Sequence, residues 1–171
     1  MPLTSDNSTY EVAYGVALTV HIVSAVAGFG MLALSGLYGS WGRRIETAKE
    51  LRDVRQFFGP PNRIGRSLWL VPLAGGIALW LNHGVNALGQ AWVIAAVVCW
   101  AAATAVAVRV IWPAERLIRP VVIRLADEPV ELDVKGREEL SALCRPIVAA
   151  AAFCDVIFTI ALALMVLKPG S

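Results

Sequence analysis

Three ionisable residues lie inside strongly apolar runs of this sequence, and each needs a physical reason to be there. His21 sits in TVHIVSAVAG (residues 19–28), Asp155 in AAFCDVIFTI (151–160), and Arg109 in the run that ends at Trp112. Ionisable groups at bilayer depth are costly and mark functional sites by default, each with a partner to be named. Arg109 is one helical turn from Trp112, so its long side chain can snorkel to the headgroups. His21 and Asp155 remain.

Depth places these two together. His21 is ten residues in from Glu11 and Asp155 ten in from Arg145, about 15 Å each at 1.5 Å per residue. Trp100 is eight residues in from Trp92, about 12 Å. In a hydrocarbon core of about 30 Å, all three reach the middle layer. The His21 face carries Ser24 and Gly28 at four-residue spacing, and the Asp155 face carries Ala151, Ala152 and Thr159. Small residues let helix backbones approach closely, so both polar groups are expected to look inward. The simplest arrangement is a buried His21–Asp155 pair, with Trp100, Thr104 and Thr159 as polar neighbours. Such a pair either fixes helix register or moves protons.

The elements that must position these residues follow from composition. The chain has 171 residues, 57% hydrophobic and 16% charged, with mean hydropathy +0.64; soluble domains carry about 25% charged residues. The apolar excess falls into four blocks, and a span needs about 20 apolar residues. The expected architecture is an all-α, four-helix transmembrane bundle, a single domain over 1–171, with spans at about 11–39, 66–83, 91–112 and 146–167. The first run is far longer than a signal-peptide core and lacks a basic leader, so this helix is expected to stay in the mature protein.

Charge gives the orientation. Arg43, Arg44, Lys49, Arg52, Arg55, Arg63 and Arg66 lie between the first two spans, and the segment from Arg109 to Arg145 holds seven more Lys and Arg, both ends included. The link LNHGVNALGQ has none. Positive residues collect on the cytoplasmic side, so both long links are expected inside and both termini outside. Trp41, Trp69 and Trp112 mark the inner ends and Trp80 and Trp92 the outer ends, as interfacial indoles do.

Between the first two spans, residues 42–58 place Ile45, Ala48, Leu51, Val54 and Phe58 at helical spacing. An amphipathic cytoplasmic helix is expected there. Its basic residues Arg43, Arg44, Lys49, Arg52 and Arg55 either touch an anionic leaflet or simply face solvent. Residues 113–145, broken by Pro113, Pro120 and Pro129, read as an irregular or briefly helical link. Pro146 suits a first helical turn. Cys99, Cys144 and Cys154 form no CxxC pair, which leaves no disulfide framework or structural metal motif. No nucleotide loop and no basic nucleic-acid patch is present.

The opening LTVHIVSAVAGFG, the Arg-Arg-containing first link and the closing ALALMVLKPG resemble a bacterial family of integral membrane proteins known as domain of unknown function number twenty-two sixty-nine. The likeness covers nearly the whole chain and departs at GPPNRIGRSLW and in the long acidic second link. That family is more distantly similar to copper resistance D-like and HemJ-like membrane proteins, which implies haem, porphyrin or metal handling. With the Ala/Val/Arg-rich composition, it implies a multi-pass protein of a bacterial cytoplasmic membrane.

Three functions follow as expectations. The first is a non-catalytic accessory or scaffold subunit whose His21–Asp155 pair is structural. The second is a haem, porphyrin or metal-handling protein with His21 as ligand and haem b as the implied cofactor. The third is a proton- or ion-linked permeation element. Against the second, His83 lies in the outer link and Met31 and Met165 lie about 15 Å along their helices from the His21–Asp155 layer. One chain is then expected to offer a metal only one ligand. Expected partners are the lipid bilayer and a second copy or larger membrane complex, with no nucleic acid and no catalytic constellation.

Overall fold

The structure is a computed structural model and describes residues 4–60, 62–127 and 134–168. All regular structure among these residues is helical. Four helical stretches are long and apolar enough to cross a membrane: Ser8–Gly42, Ile64–His83, Ala91–Ala126 and Val134–Leu167. The expected multi-pass, all-α architecture stands. Most of the acidic run in the second link, residues 128–133, lies outside the described residues.

Helix α1 spans Thr4–Gly42 and packs against both α6 (Val134–Leu167) and α3 (Leu70–His83). Its contact with α6 runs along glycines. A methyl group on Gly36 would lie 2.6 Å from the Ala151 Cβ, and one on Gly42 would lie 2.7 Å from the Cys144 Sγ. Small residues at this spacing allow the close backbone approach that drives helix association in lipid. The Phe29 and Phe158 rings stack at 4.3 Å further along the same seam.

The second span solves its shortness with a change of helix type. Residues Ile64–Trp69 form a 3₁₀ helix ahead of α3. Six residues at about 2.0 Å and fourteen at about 1.5 Å give about 33 Å, enough for the hydrocarbon core.

The third span does not stop at Trp112. Helix α4 (Ala91–Val106) passes through a π-helical segment, Ala107–Ile111, into α5 (Trp112–Asp127). Pro113 explains the π turn. It has no N–H for the Arg109 carbonyl, and the ladder shifts register so that the Trp112 N–H reaches the Ala107 carbonyl. The irregular or briefly helical link expected over 113–145 is therefore corrected: residues 112–127 and 134–167 are helical, with Pro120 and Pro146 inside helices. The reason is tertiary. Ile118, Val121, Val122 and Leu125 form a buried stripe at i, i+3, i+4 spacing, and α5 packs on α2 (Ala48–Phe58) and α6.

That packing also decides the amphipathic helix. Helix α2 (Ala48–Phe58) starts at a capping box, Thr47 to Glu50. Its apolar residues Leu51, Val54 and Phe58 are buried against α5, so they are not free to enter a leaflet. Arg52 and Asp53 lie on its exposed side.

Candidate functional site

The site forms where two helices fail to meet. Helix α3 packs along α1 and α4 along α6, but α3 and α4 barely touch each other. The space between them is a cavity of about 640 Å³, with Phe29 and Phe158 among its walls. Leu18, Ile22, Val97 and Leu162 make it largely apolar, and His21, Trp100, Asn82, His83 and Lys168 are among the residues that bring polar groups to it. Ligand pockets typically occupy about 300–1,000 Å³ with this kind of lining.

His21 is held by backbone rather than by a carboxylate. Its Nδ1 lies 2.7 Å from the Val71 carbonyl oxygen. A carbonyl can only accept, so Nδ1 donates and a neutral ring carries its lone pair on Nε2. The ring rests on Gly75, where a methyl group would come within 2.7 Å of Nδ1 and 2.8 Å of Cε1. Glycine at 75 is therefore what lets the imidazole lie flat on α3. Nε2 has no partner among the described residues and belongs to a ring that lines the cavity.

Trp100 is fixed in the same way. Its Nε1 donates to the Leu68 carbonyl at 2.8 Å. Pro72 lacks the N–H that would serve Leu68 from four residues on, so the indole covers a carbonyl that the proline leaves short. Leu68 and Val71 are three residues apart, and Trp100 and His21 therefore share a layer as expected. Ser24 adds a link, accepting at its carbonyl from the Ser67 hydroxyl at 3.2 Å, beside the close contact of Gly28 with Leu68.

The expected His21–Asp155 pair does not form. Asp155 lies on the outer surface of the bundle and makes no ion pair or side-chain hydrogen bond with a described residue. The cause is helix rotation. Helix α6 buries Ile147, Ala150, Ala151, Cys154 and Ala161, and Asp155 is about 100° past Cys154 on the helical circumference. Thr159 is exposed with it and donates to the Asp155 backbone carbonyl at 2.8 Å. Thr104 is buried on α4 with its hydroxyl unpartnered. Of the expected neighbours, only Trp100 shares the cavity with His21. Arg109 is exposed, as snorkelling requires.

Two residues set aside on depth alone, His83 and Met165, also line the cavity. His83 is eight residues beyond Gly75 on α3, about 12 Å further out. It belongs to the outer rim with Asn82 and Lys168 and cannot share one metal ion with His21.

A second polar cluster went unread in the sequence. Glu115 accepts from the Ser35 hydroxyl at 2.6 Å and from the Asn62 amide at 3.5 Å, joining α1, Asn62 ahead of the 3₁₀ helix, and α5. Its signal was a carboxylate one turn past Trp112 in a stretch whose apolar residues keep helical spacing. No group of three or more His, Cys, Asp or Glu capable of holding a metal occurs among the described residues.

No family model, curated protein or solved structure matches this chain. The likeness carried by LTVHIVSAVAGFG therefore rests on that motif and its companions alone.

Proposed function

We propose that this chain is a membrane-embedded binding protein for a flat, largely apolar molecule of the haem b or porphyrin class, with His21 as its single protein ligand. One observation carries the reading. The Nδ1–H of His21 is fixed on the Val71 carbonyl at the wall of a largely apolar cavity of about 640 Å³, and Nε2 has no partner among the described residues. Metal-binding histidines characteristically donate their other ring N–H to a carbonyl or carboxylate, which sets the tautomer and ring orientation. The residues fit such a group. Gly75 and Gly76 offer a wall without side chains, and Asn82, His83 and Lys168 give polar contacts at the outer rim for an anionic substituent. A haem bound here would supply redox or small-ligand chemistry at iron. The chain would supply one nitrogen, a dry pocket and an oriented ring.

The proposal extends to placement: a bacterial cytoplasmic membrane with both termini outside, supported by the arginine-rich links. The ligand class is also the one implied by the resemblance read from LTVHIVSAVAGFG, through that family's distant likeness to HemJ-like and copper resistance D-like proteins. A His21–Asp155 proton relay is not proposed, because the two side chains are not joined.

A second reading has its own observation. The Asp155 carboxylate lies on the outer surface of α6 without a partner among the described residues, and a charge facing hydrocarbon is unfavourable by about 2.5–3.5 kcal/mol on insertion scales. An accessory or scaffold subunit would cover it with a partner helix.

The test is the absorption spectrum of protein purified from haem-replete cells, as isolated and after dithionite. A Soret band present in the wild type and in His83→Ala, and lost in His21→Ala, is expected. A band that persists in His21→Ala rejects His21 as the ligand. A wild-type spectrum that, after added haemin, is only that of free haemin in the same detergent rejects the haem reading.

A further inference from the structure

At the arginine-rich end of the bundle, α6 and the segment after α1 enclose an open cleft of about 460 Å³. Arg43 and Arg44 line one side, and Arg137, Ser141 and Arg145 the other. The last three recur every four residues on α6, which puts them in one row along one face, about 6 Å apart per step. Glu46 and Glu138 also line the cleft, leaving four guanidinium groups against two carboxylates. None of these four arginines forms an ion pair with a described residue.

The fold builds this cleft deliberately close. Gly42 lies so near α6 that a methyl group on it would meet the Cys144 sulfur at 2.7 Å. The next two residues, Arg43 and Arg44, are thereby delivered beside Ser141 and Arg145. The level in the membrane is equally defined. Trp41, exposed at 48%, immediately precedes the pair, and the apolar stretch of α6 begins just after Arg145. Both sides of the cleft therefore stand where the hydrocarbon ends, and interfacial indoles mark that same level.

We infer that this cleft binds the phosphate group of an anionic membrane lipid. Planar guanidinium forks match phosphate oxygens in bidentate geometry, and basic pockets between spanning helices take anionic headgroups. The two carboxylates suit a headgroup that also carries hydroxyls, which would donate to them. The depth favours a lipid over a soluble phosphate, because a phosphodiester already lies at this level with its acyl chains directed along the α1–α6 surface. The apolar face of α2 is spent on α5, so Arg43 and Arg44 act through this cleft and not through a helix lying flat on the leaflet.

Native mass spectrometry of the full chain in neutral detergent tests this, with phosphatidylglycerol, phosphatidylcholine and inorganic phosphate as probes. Saturable retention of phosphatidylglycerol over phosphatidylcholine is expected, undisturbed by inorganic phosphate. Arg44→Gln and Arg145→Gln should each weaken it about fivefold. Arg44→Lys should recover part of the loss, and Arg109→Gln, outside the cleft, should change nothing. Helical circular dichroism confirms that each variant folds. Equal binding by Arg44→Gln, Arg145→Gln and wild type overturns the site. Displacement of the lipid by inorganic phosphate overturns the lipid as its source.

Discussion

Replacing Gly75 with alanine tests the site without touching a polar atom. The added methyl would sit 2.7 Å from His21 Nδ1 and 2.8 Å from Cε1, well inside van der Waals contact, so the ring must leave the Val71 carbonyl or α3 must move. Overpacking of this kind costs about 1–3 kcal/mol. The displaced hydrogen bond adds about 0.6 kcal/mol, the average for interhelical bonds in a membrane protein. Alanine returns about 1 kcal/mol of helix propensity, so the net destabilisation is about 0.6–2.6 kcal/mol. Gly76→Ala is the internal control, because nothing lies within 4 Å of its added methyl. It should be neutral or stabilising by up to about 1 kcal/mol. Unfolding in mixed micelles, followed by circular dichroism, measures both. A double-mutant cycle sharpens the reading: with His21→Ala in the background, the cost of Gly75→Ala should vanish, because the clashing ring is gone. Equal stability of Gly75→Ala and Gly76→Ala, or an undiminished cost in the His21→Ala background, would refute the packing described here.

Trp100→Phe should cost about 0.6–1.7 kcal/mol by removing the donor to the Leu68 carbonyl. Pro72→Ala in the same chain should recover part of this by restoring a backbone N–H, which a double-mutant cycle reads directly. Asp155→Leu should leave the isolated fold intact or more stable, since it removes a carboxylate from the outer surface of α6; loss of stability in the isolated chain would show that Asp155 has a partner within it. At the start of α2, hydrogen bonds from the Glu46 and Thr47 backbone N–H groups hold the Glu50 carboxyl below its ordinary range. A folded value below the unfolded one stabilises at higher pH, so this cap should be intact above the ordinary glutamate range and lost as pH falls through the lowered value. An NMR titration of the Glu50 side chain checks the direction, and a midpoint at or above the ordinary value contradicts it.

The spans were legible because length, hydropathy and Trp placement all bear on one quantity, distance through the bilayer. The same reasoning set His21 beside Trp100, and the two do line one cavity. Rotation was not legible. Around α6 the residues Ala150, Ala151, Ala152, Phe153 and Cys154 are apolar on every side, so no moment fixed which face turned inward, and Asp155 was assigned to the wrong one. The partner of His21 was hidden because it is a backbone carbonyl, which no residue type announces. The proline and the paired glycines PLAGG, residues 72–76, were nonetheless a signal, since Pro72 frees a carbonyl and Gly75 clears room for a ring. Helix α5 was missed because Pro113 and Pro120 suggested a break, while the stripe Ile118, Val121, Val122 and Leu125 carried the stronger periodicity.

The central claim is that the free nitrogen of His21 is a ligand at the cavity. The measurement that tests it most directly is a haemin titration followed at the Soret band, in lipid nanodiscs, on wild type and His21→Gly, with and without added imidazole. The account predicts saturable one-site binding by wild type, none of comparable affinity by His21→Gly, and recovery of the wild-type spectrum when imidazole fills the space the side chain leaves. An identical titration in His21→Gly, without imidazole, would contradict it.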